Sequence, residues 1–299
     1  GTLVVQHWSP PHARLVWKDR RGALLGTAVD DIQMQGGTLS PDGGRFAYGS
    51  TSPGDLYVLD LESGVSTRLT FENQNVNSIV WSPDGQRIAF GRLFTSNGWQ
   101  IYTKAADGTG ADSLLFRAPG ILNYPQDWSD DGRWLVAQCA DTSGNFDLWK
   151  IPMTGGGTPE VYQRTPAQEQ GANLSPDGKW IVYRADENGK PALYVQSFPK
   201  AGAKYQVAIK NPAGAAWSRR GDELLVVTFD SEVFMMQVST SNGFRQGATT
   251  RLFQIVPPEY LVDVMSSEQR FLMGRVKDLS ALSRLEVVLG WPQLLEQRK

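Results

Sequence analysis

Residues 79–90, IVWSPDGQRIAF, set two short apolar runs on either side of Ser-Pro-Asp-Gly. In such a turn Pro presets φ, Asp bonds its own backbone, and Gly tolerates φ > 0. The same pattern returns as TLSPDGGRFAY (38–48), DWSDDGRWLVA (127–137), NLSPDGKWIVY (173–183) and AWSRRGDELLVV (216–227). The turn glycines Gly43, Gly85, Gly132, Gly178 and Gly221 are separated by 42, 47, 46 and 43 residues. A degenerate copy, VDVMSSEQRFLMG (262–274), puts Glu268 in the same slot, and GTLVV at the start puts Gly1 there within a residue.

Each full copy has one grammar. A strand such as NSIVW (77–81) enters the turn, and a second strand rich in β-branched and aromatic residues leaves it. After a variable loop comes a third, alternating strand: DLYVLDL (55–61), WQIYTKA (99–105), FDLWKIP (146–152), ALYVQSF (192–198) or EVFMMQV (232–238). A Gly-bearing turn then leads to a fourth, such as STRLT (66–70) or PEVY (159–162). Four antiparallel strands in 40 to 45 residues is the period of a propeller blade. The expected fold is all-β, a single β-propeller domain over residues 1–299 with four-stranded antiparallel blades. Three strands at each end of the chain must combine to close the ring. Seven blades fit the glycine phasing better; six blades plus an extra hairpin is the alternative.

Composition narrows the function. The chain has 299 residues, 29 Lys and Arg against 31 Asp and Glu, and a net charge of -2. It lacks the basic stripe that drives phosphate binding, so nucleic acid is excluded as a partner. No run of 18 apolar residues is present, so any link to a membrane is expected to run through a tether outside this chain. The only cysteine, Cys139, lies in WLVAQCAD (134–141) and reads as a buried strand thiol.

Catalytic patterns are missing as well. The two histidines, His7 and His12, stand in QHWSPPHARL (6–15) at a spacing that matches no zinc motif, and are read as a solvated loop. There is no Gly-x-Ser-x-Gly elbow. SPDGG (40–44) matches the start of a sialidase Asp-box without the Thr-Trp that should follow. A glycosidase would need two acids roughly 5 to 10 Å apart. Asp141, Asp147, Asp186, Glu187, Asp230 and Asp263 are the acids expected near one rim. Neither cofactor nor metal is expected.

Strand direction predicts where a ligand binds. The Pro-Asp-Gly turns share one face of the ring; the loops between second and third strands and the blade-to-blade connections share the other. On this loop face we expect Phe71, Asn75, Phe94, Trp99, Asn123, Tyr124, Gln126, Phe146, Asp147, Gln168, Gln170, Asp186 and Tyr260 to contact a peptide, protein or glycan. The alternative is that the amides make turns and the aromatics cap blade interfaces. Trp81, Trp128 and Trp217 recur before the turn and are read as packing blade to blade, with Trp291 ending the last strand. Arg45, Arg87, Arg133 and Lys179 recur after the turn glycine and are read as decorating a solvated face.

The copy LSPDGKWIVYRADENGKPALYVQSFP (174–199) resembles TolB-type propeller repeats, relatives in pattern of the WD-repeat propellers. RLVWKDRRGALLG (14–26), STRLTFENQNVNSIVWSPDGQRIAF (66–90), LYVQSFP (193–199) and LEVVLGWPQLLEQ (285–297) are similar, in this order, to the propeller that follows the membrane helix in bacterial transmembrane serine/threonine kinases. The resemblance implies an extracytoplasmic, periplasmic or cell-surface sensor or scaffold, taken as a monomer. The chain itself has no His-Arg-Asp or Asp-Phe-Gly triplet of a kinase core. The leading expectation is therefore a non-catalytic binding or sensor propeller. A TolB-like interaction scaffold and a carboxylate-dependent glycoside hydrolase or lyase are the alternatives.

Overall fold

The computed structural model describes residues 2–7, 12–94, 96, 98–118, 120–265, 270–277 and 284–289, the first and last of these as backbone. Its strands are β1 (Thr2–His7), β2 (His12–Lys18), β3 (Leu24–Leu39), β4 (Arg45–Ser50), β5 (Leu56–Asp60), β6 (Ser66–Arg68), β7 (Val76–Trp81), β8 (Arg87–Phe94) and β9 (Gly98–Ala105). They continue with β10 (Ser113–Phe116), β11 (Leu122–Trp128), β12 (Trp134–Ala140), β13 (Phe146–Pro152), β14 (Glu160–Gln163), β15 (Gln170–Leu174), β16 (Trp180–Ala185), β17 (Ala192–Ser197) and β18 (Lys204–Gln206). The last are β19 (Pro212–Trp217), β20 (Glu223–Thr228), β21 (Glu232–Ser239), β22 (Arg245–Gln254), β23 (Glu259–Met265), β24 (Arg270–Val276) and β25 (Arg284–Leu289).

The turn chemistry is the one the sequence predicts, with one addition. The five turn glycines all have φ between 65° and 74°. The serine, however, does more than precede the proline. Ser129 Oγ donates to Asp131 at 2.7 Å and accepts from Trp134 N at 2.9 Å, so one hydroxyl ties the entering strand to the leaving one. Ser40, Ser82 and Ser175 repeat the arrangement. In Ser-Arg-Arg-Gly the missing Asp is replaced from downstream: Ser218 Oγ donates to Asp222 at 3.0 Å.

Sheet pairing counts the blades. Strands β7–β10, β11–β14, β15–β18 and β19–β22 form four complete four-stranded sheets, here blades III to VI. Strands β23, β24, β2, β3, β4, β5 and β6 form a run of seven. Within it β3, 16 residues long, serves twice. Its first part, up to Gln33, pairs with β2, and its second part, from Met34, pairs with β4. The run is therefore two blades: I (β23, β24, β2 and the start of β3) and II (the end of β3, then β4, β5 and β6). Among the described residues this gives six four-stranded blades, plus an antiparallel ribbon of β1 with β25. The described strands fit the alternative reading, six blades and an extra strand pair. The GTLVV copy pairs with the C-terminal strand β25. Trp291 and the degenerate turn at Glu268 lie outside the described residues.

Among the described residues six hydrophobic clusters hold the ring, one between each pair of neighbouring blades. Phe46, Leu15 and Leu272 join blades I and II; Val76, Ile88, Phe90 and Leu56 join II and III. Leu135, Ile101 and buried Cys139 fill the next interface, and Ile181, Tyr183 and Leu148 the one after. Leu224, Val226 and Leu193 join V and VI, and Phe271, Met273, Val233 and Phe253 close VI onto I. Trp81, Trp128 and Trp217 are 6%, 8% and 7% exposed within these clusters, which gives the recurring tryptophan its packing role. Arg45 is less solvated than expected: it lies 4.8 Å over the Trp81 ring and donates to the Gly85 carbonyl at 2.8 Å.

Replacing Ser129 by Ala strands the Trp134 amide and leaves Asp131 with Arg133 alone. A loss of about 1–3 kcal/mol in unfolding free energy is expected from urea melts. Ser218→Ala, whose bonds are 3.0 and 3.1 Å, should cost less.

Candidate functional site

The innermost strands β3, β7, β11, β15, β19 and β23 run side by side around the axis, each ending at its turn. The position two before the turn serine faces the next blade. Its occupants are Thr38, Val80, Asp127, Asn173, Ala216 and, in blade I where Met265 fills the serine slot, Asp263; four of the six are polar. Three of them clasp the neighbouring strand. Asp263 Oδ2 accepts from Thr38 Oγ1 at 2.8 Å and Leu39 N at 2.7 Å. Asp127 Oδ2 accepts from Asn173 Nδ2 at 2.8 Å and Leu174 N at 2.7 Å. Asn173 Oδ1 in turn accepts from Trp217 N at 2.7 Å. Val80 and Ala216 have no acceptor to offer, so the clasps occur where the side chain permits.

Above this tier lies a cavity of about 550 Å³. All six blades line it: Pro41 and Leu39 from II, Trp81 and Pro83 from III, Gln126, Asp127 and Asp130 from IV, Asn173 from V, Arg219 from VI, and Asp263 with Met265 from I. A wall shared by every blade lies on the ring axis, and the turn prolines and Asp130 place its mouth on the Pro-Asp-Gly face. Asp127 accepts three N–H donors, its own neighbour Trp128 included, yet desolvation by the surrounding ring outweighs them and pushes its carboxyl up to about 7. Asp263 is raised for the same reason. Asp130 is raised by desolvation, against the pull of Arg219.

The residues expected on the loop face are largely occupied with one another. Trp99, Tyr124 and Phe146 form one run, with ring centroids 5.4 and 6.3 Å apart, spanning blades III and IV. Phe94 packs on Tyr102. Asn75 accepts from Gln35, Gln170 from Arg184, and the Gln168 amide accepts from Phe146 N while its backbone N–H donates to Asp186. Phe71 is exposed, with Arg68 over its ring, and Tyr260 lies across the Gly274 backbone, half-exposed.

Three of that set sit elsewhere than expected. Asn123 is fully buried: it accepts from Ala118 N and donates to the Trp99 and Gly120 carbonyls, pinning a loop. Gln126 lines the axial cavity on the opposite face. Asp147 is 1% exposed and paired with Arg164 at 2.6 Å, the same use that blade II makes of Asp55 and Arg68.

The acids proposed for glycosidase chemistry are likewise dispersed. Asp141 caps its own turn through Ser143, Asp186 receives Gln168 N, Glu187 pairs with Lys204, and Asp230 accepts from Asn211. Asp263 lies at the turn end of its strand rather than on the loop rim. His12 stands on β2 rather than in a loop, with its Nδ1 2.9 Å from Asp31 and its Nε2 2.8 Å from Gln33. Among the described residues no group of three or more His, Cys, Asp or Glu could hold a metal ion, and no helix is long and apolar enough to cross a membrane.

The axial residues Asp127, Asp130, Asn173 and Arg219 escaped the sequence reading. A signal was present, a polar residue inside an apolar strand at a fixed distance from the turn, but the hydrophobic pattern of a blade does not say which strand faces the axis.

Between pH 5.5 and 8 the raised Asp127 carboxyl loses its proton in the folded state, whereas its unfolded counterpart is already ionised. The proton favours the folded form, so the contribution of Asp127 to stability falls as pH rises towards about 7 and levels off above it. Thermal melts across this range should show a midpoint that falls with pH, with a shallower slope in Asp127→Asn.

Comparison with known proteins places the fold. No protein-family model matches the chain. It is 29% identical over 160 residues, 51% of its length, to the uncharacterized peptidase YuxL of Bacillus subtilis, of which the match spans 22%. It is 30% identical over 156 residues, 48% of its length, to the uncharacterized protein Atu1656 of Agrobacterium fabrum, of which the match spans 52%. The chain thus spans about a fifth and about half of these two relatives. Among solved structures it superposes on a protein of Agrobacterium tumefaciens assigned as TolB with a TM-score of 0.69 at 17% identity, covering 91% of this chain and all of that one. It matches TolB of Acinetobacter baumannii with a TM-score of 0.60 at 18% identity, covering 82% and 64%. At these identities the likeness is one of fold alone: the chain is a β-propeller that superposes on those of TolB proteins.

Proposed function

We propose that this propeller is a non-catalytic protein-interaction domain and that its partner inserts a chain segment into the axial mouth on the Pro-Asp-Gly face. The observation that carries this reading is the 550 Å³ cavity on the ring axis, to which all six blades contribute a wall. Its lining mixes prolines, tryptophans, amides and charges, a set suited to a peptide backbone with side chains, and no nucleophile with an adjacent base stands among them.

The finer reading is that the domain serves as the extracytoplasmic sensor of a bacterial membrane kinase, reporting occupancy through a tether outside this chain. The ordered motifs of residues 14–26, 66–90, 193–199 and 285–297 support it, as does the TolB-like fold. A gene whose product lacks a kinase core and membrane helix ahead of this segment would remove the sensor role and leave the interaction role standing.

Affinity capture from envelope extracts with the full chain tests the interaction. A partner held by the wild type should be lost with Gln126→Trp, which fills the mouth, and retained with Phe71→Ser on the opposite face. The reverse pattern would move the site to the loop face. Turnover on a polysaccharide or peptide panel that disappears in Asp186→Asn would make the protein an enzyme instead.

A further inference from the structure

The turn that departs from Ser-Pro-Asp-Gly has a consequence at the axial mouth. In blade VI the proline position holds Arg219, and an arginine there can reach where a pyrrolidine ring cannot. Its guanidinium donates to the carbonyl of Pro41, in the turn of blade II on the far side of blade I. Its charge also lowers the carboxyl of Asp130, in blade IV, against the raising effect of desolvation. One side chain therefore lies across the opening and touches the environment of two other blades. Of the charged residues lining the cavity, Arg219 is the cation, and Asp127, Asp130 and Asp263 are acids. Arg219 also stands in the wall of an adjoining cavity of about 240 Å³, together with Asn173, Asp263 and Trp217.

The hold on Arg219 is weak by its chemistry. The residue is exposed, its hydrogen bond goes to a single neutral carbonyl, and Asp130 is exposed too. Contacts of this kind at a wet surface contribute little net free energy, so a competing cation can displace the side chain at small cost. Once displaced, Arg219 leaves Asp130 at a mouth whose lining holds acids and no other cation, beside turn prolines and Trp81 that can cover the stem of a long side chain.

We propose that Arg219 is an internal stand-in for a basic residue of the partner: the inserted segment presents a Lys or Arg side chain to Asp130 and the acids below it, and Arg219 swings aside. Arg219 is then a specificity residue, one that keeps neutral segments out of a cationic seat until a better-placed cation takes it. The inference rests on the axial mouth being the binding site, as proposed above, and deepens that reading by naming the chemistry that fits.

Three labelled Gly/Ser decapeptides with two central Arg, two Gln or two Glu residues test it on the full chain by fluorescence anisotropy. The Arg peptide should bind most tightly and weaken with added salt. Arg219→Ala should tighten the Arg peptide roughly tenfold, while Asp130→Asn should weaken it by a similar factor. Arg219→Gln, which keeps the bulk, should behave as Arg219→Ala. Both positions are exposed, so these variants should melt as the wild type does. Equal binding of the Arg and Gln peptides, or a preference for Glu that vanishes in Arg219→Ala, would overturn the proposal. If the captured partner is still lost with Gln126→Trp while the peptides show no charge preference, the binding site stands and the stand-in role of Arg219 falls.

Discussion

The pairing of β2 with β24 is the contact on which the ring depends. Ala13 to Lys18 align with Val276 to Phe271, so a strand from each end of the chain lies side by side inside blade I. Without this pairing the molecule would be an open row of blades with two exposed sheet edges, each an invitation to associate with another chain. With it, the sixth hydrophobic interface forms between Phe253 and Phe271, rings 5.0 Å apart and perpendicular, and every blade gains a neighbour on both sides.

Closure also creates the axial site. The clasps from Asp263 to Leu39, Asp127 to Leu174 and Asn173 to Trp217 run between inner strands of different blades, and they exist only because the strand ends are brought to one radius. A buried amide N–H at the start of a turn needs an acceptor, and the neighbouring blade supplies it. The same geometry leaves a void above the clasps, because six strand ends cannot meet at a point. Depth on the turn face thus follows from the packing of the ring.

The internal comparison of repeats shows which residues are scaffold. Asp55 with Arg68 and Asp147 with Arg164 occupy one register in blades II and IV, each carboxylate buried and each held by a cation at the end of the fourth strand or just past it. Recurrence of the pair argues for a role in fastening the outer strand of a blade, which is why Asp147, attractive as a rim acid in the sequence, belongs to the framework. Arg219 has no such counterpart, since other turns hold Pro41, Pro83, Asp130 and Pro176 in its place. What is singular in a repeat is a better guide to function than what recurs.

The repeat itself was written in local chemistry. Ser-Pro-Asp-Gly sets a turn, alternating apolar residues set the strands on each side, and spacing sets the blade, so fold class and the packing role of Trp81, Trp128 and Trp217 were legible in the order of residues. The blade count was not, because GTLVV looks like any other inner strand until its partner is known; β25 is 277 residues away from it along the chain. Nor was the location of the site. Gln126, Asp127 and Asn173 sit in strands whose pattern is the same whether they face the axis or the rim, and Arg219 reads as a flaw in a turn. Sequence governs contacts between neighbours in the chain; which residues converge on the axis is decided by ring closure, a condition that involves all six blades at once.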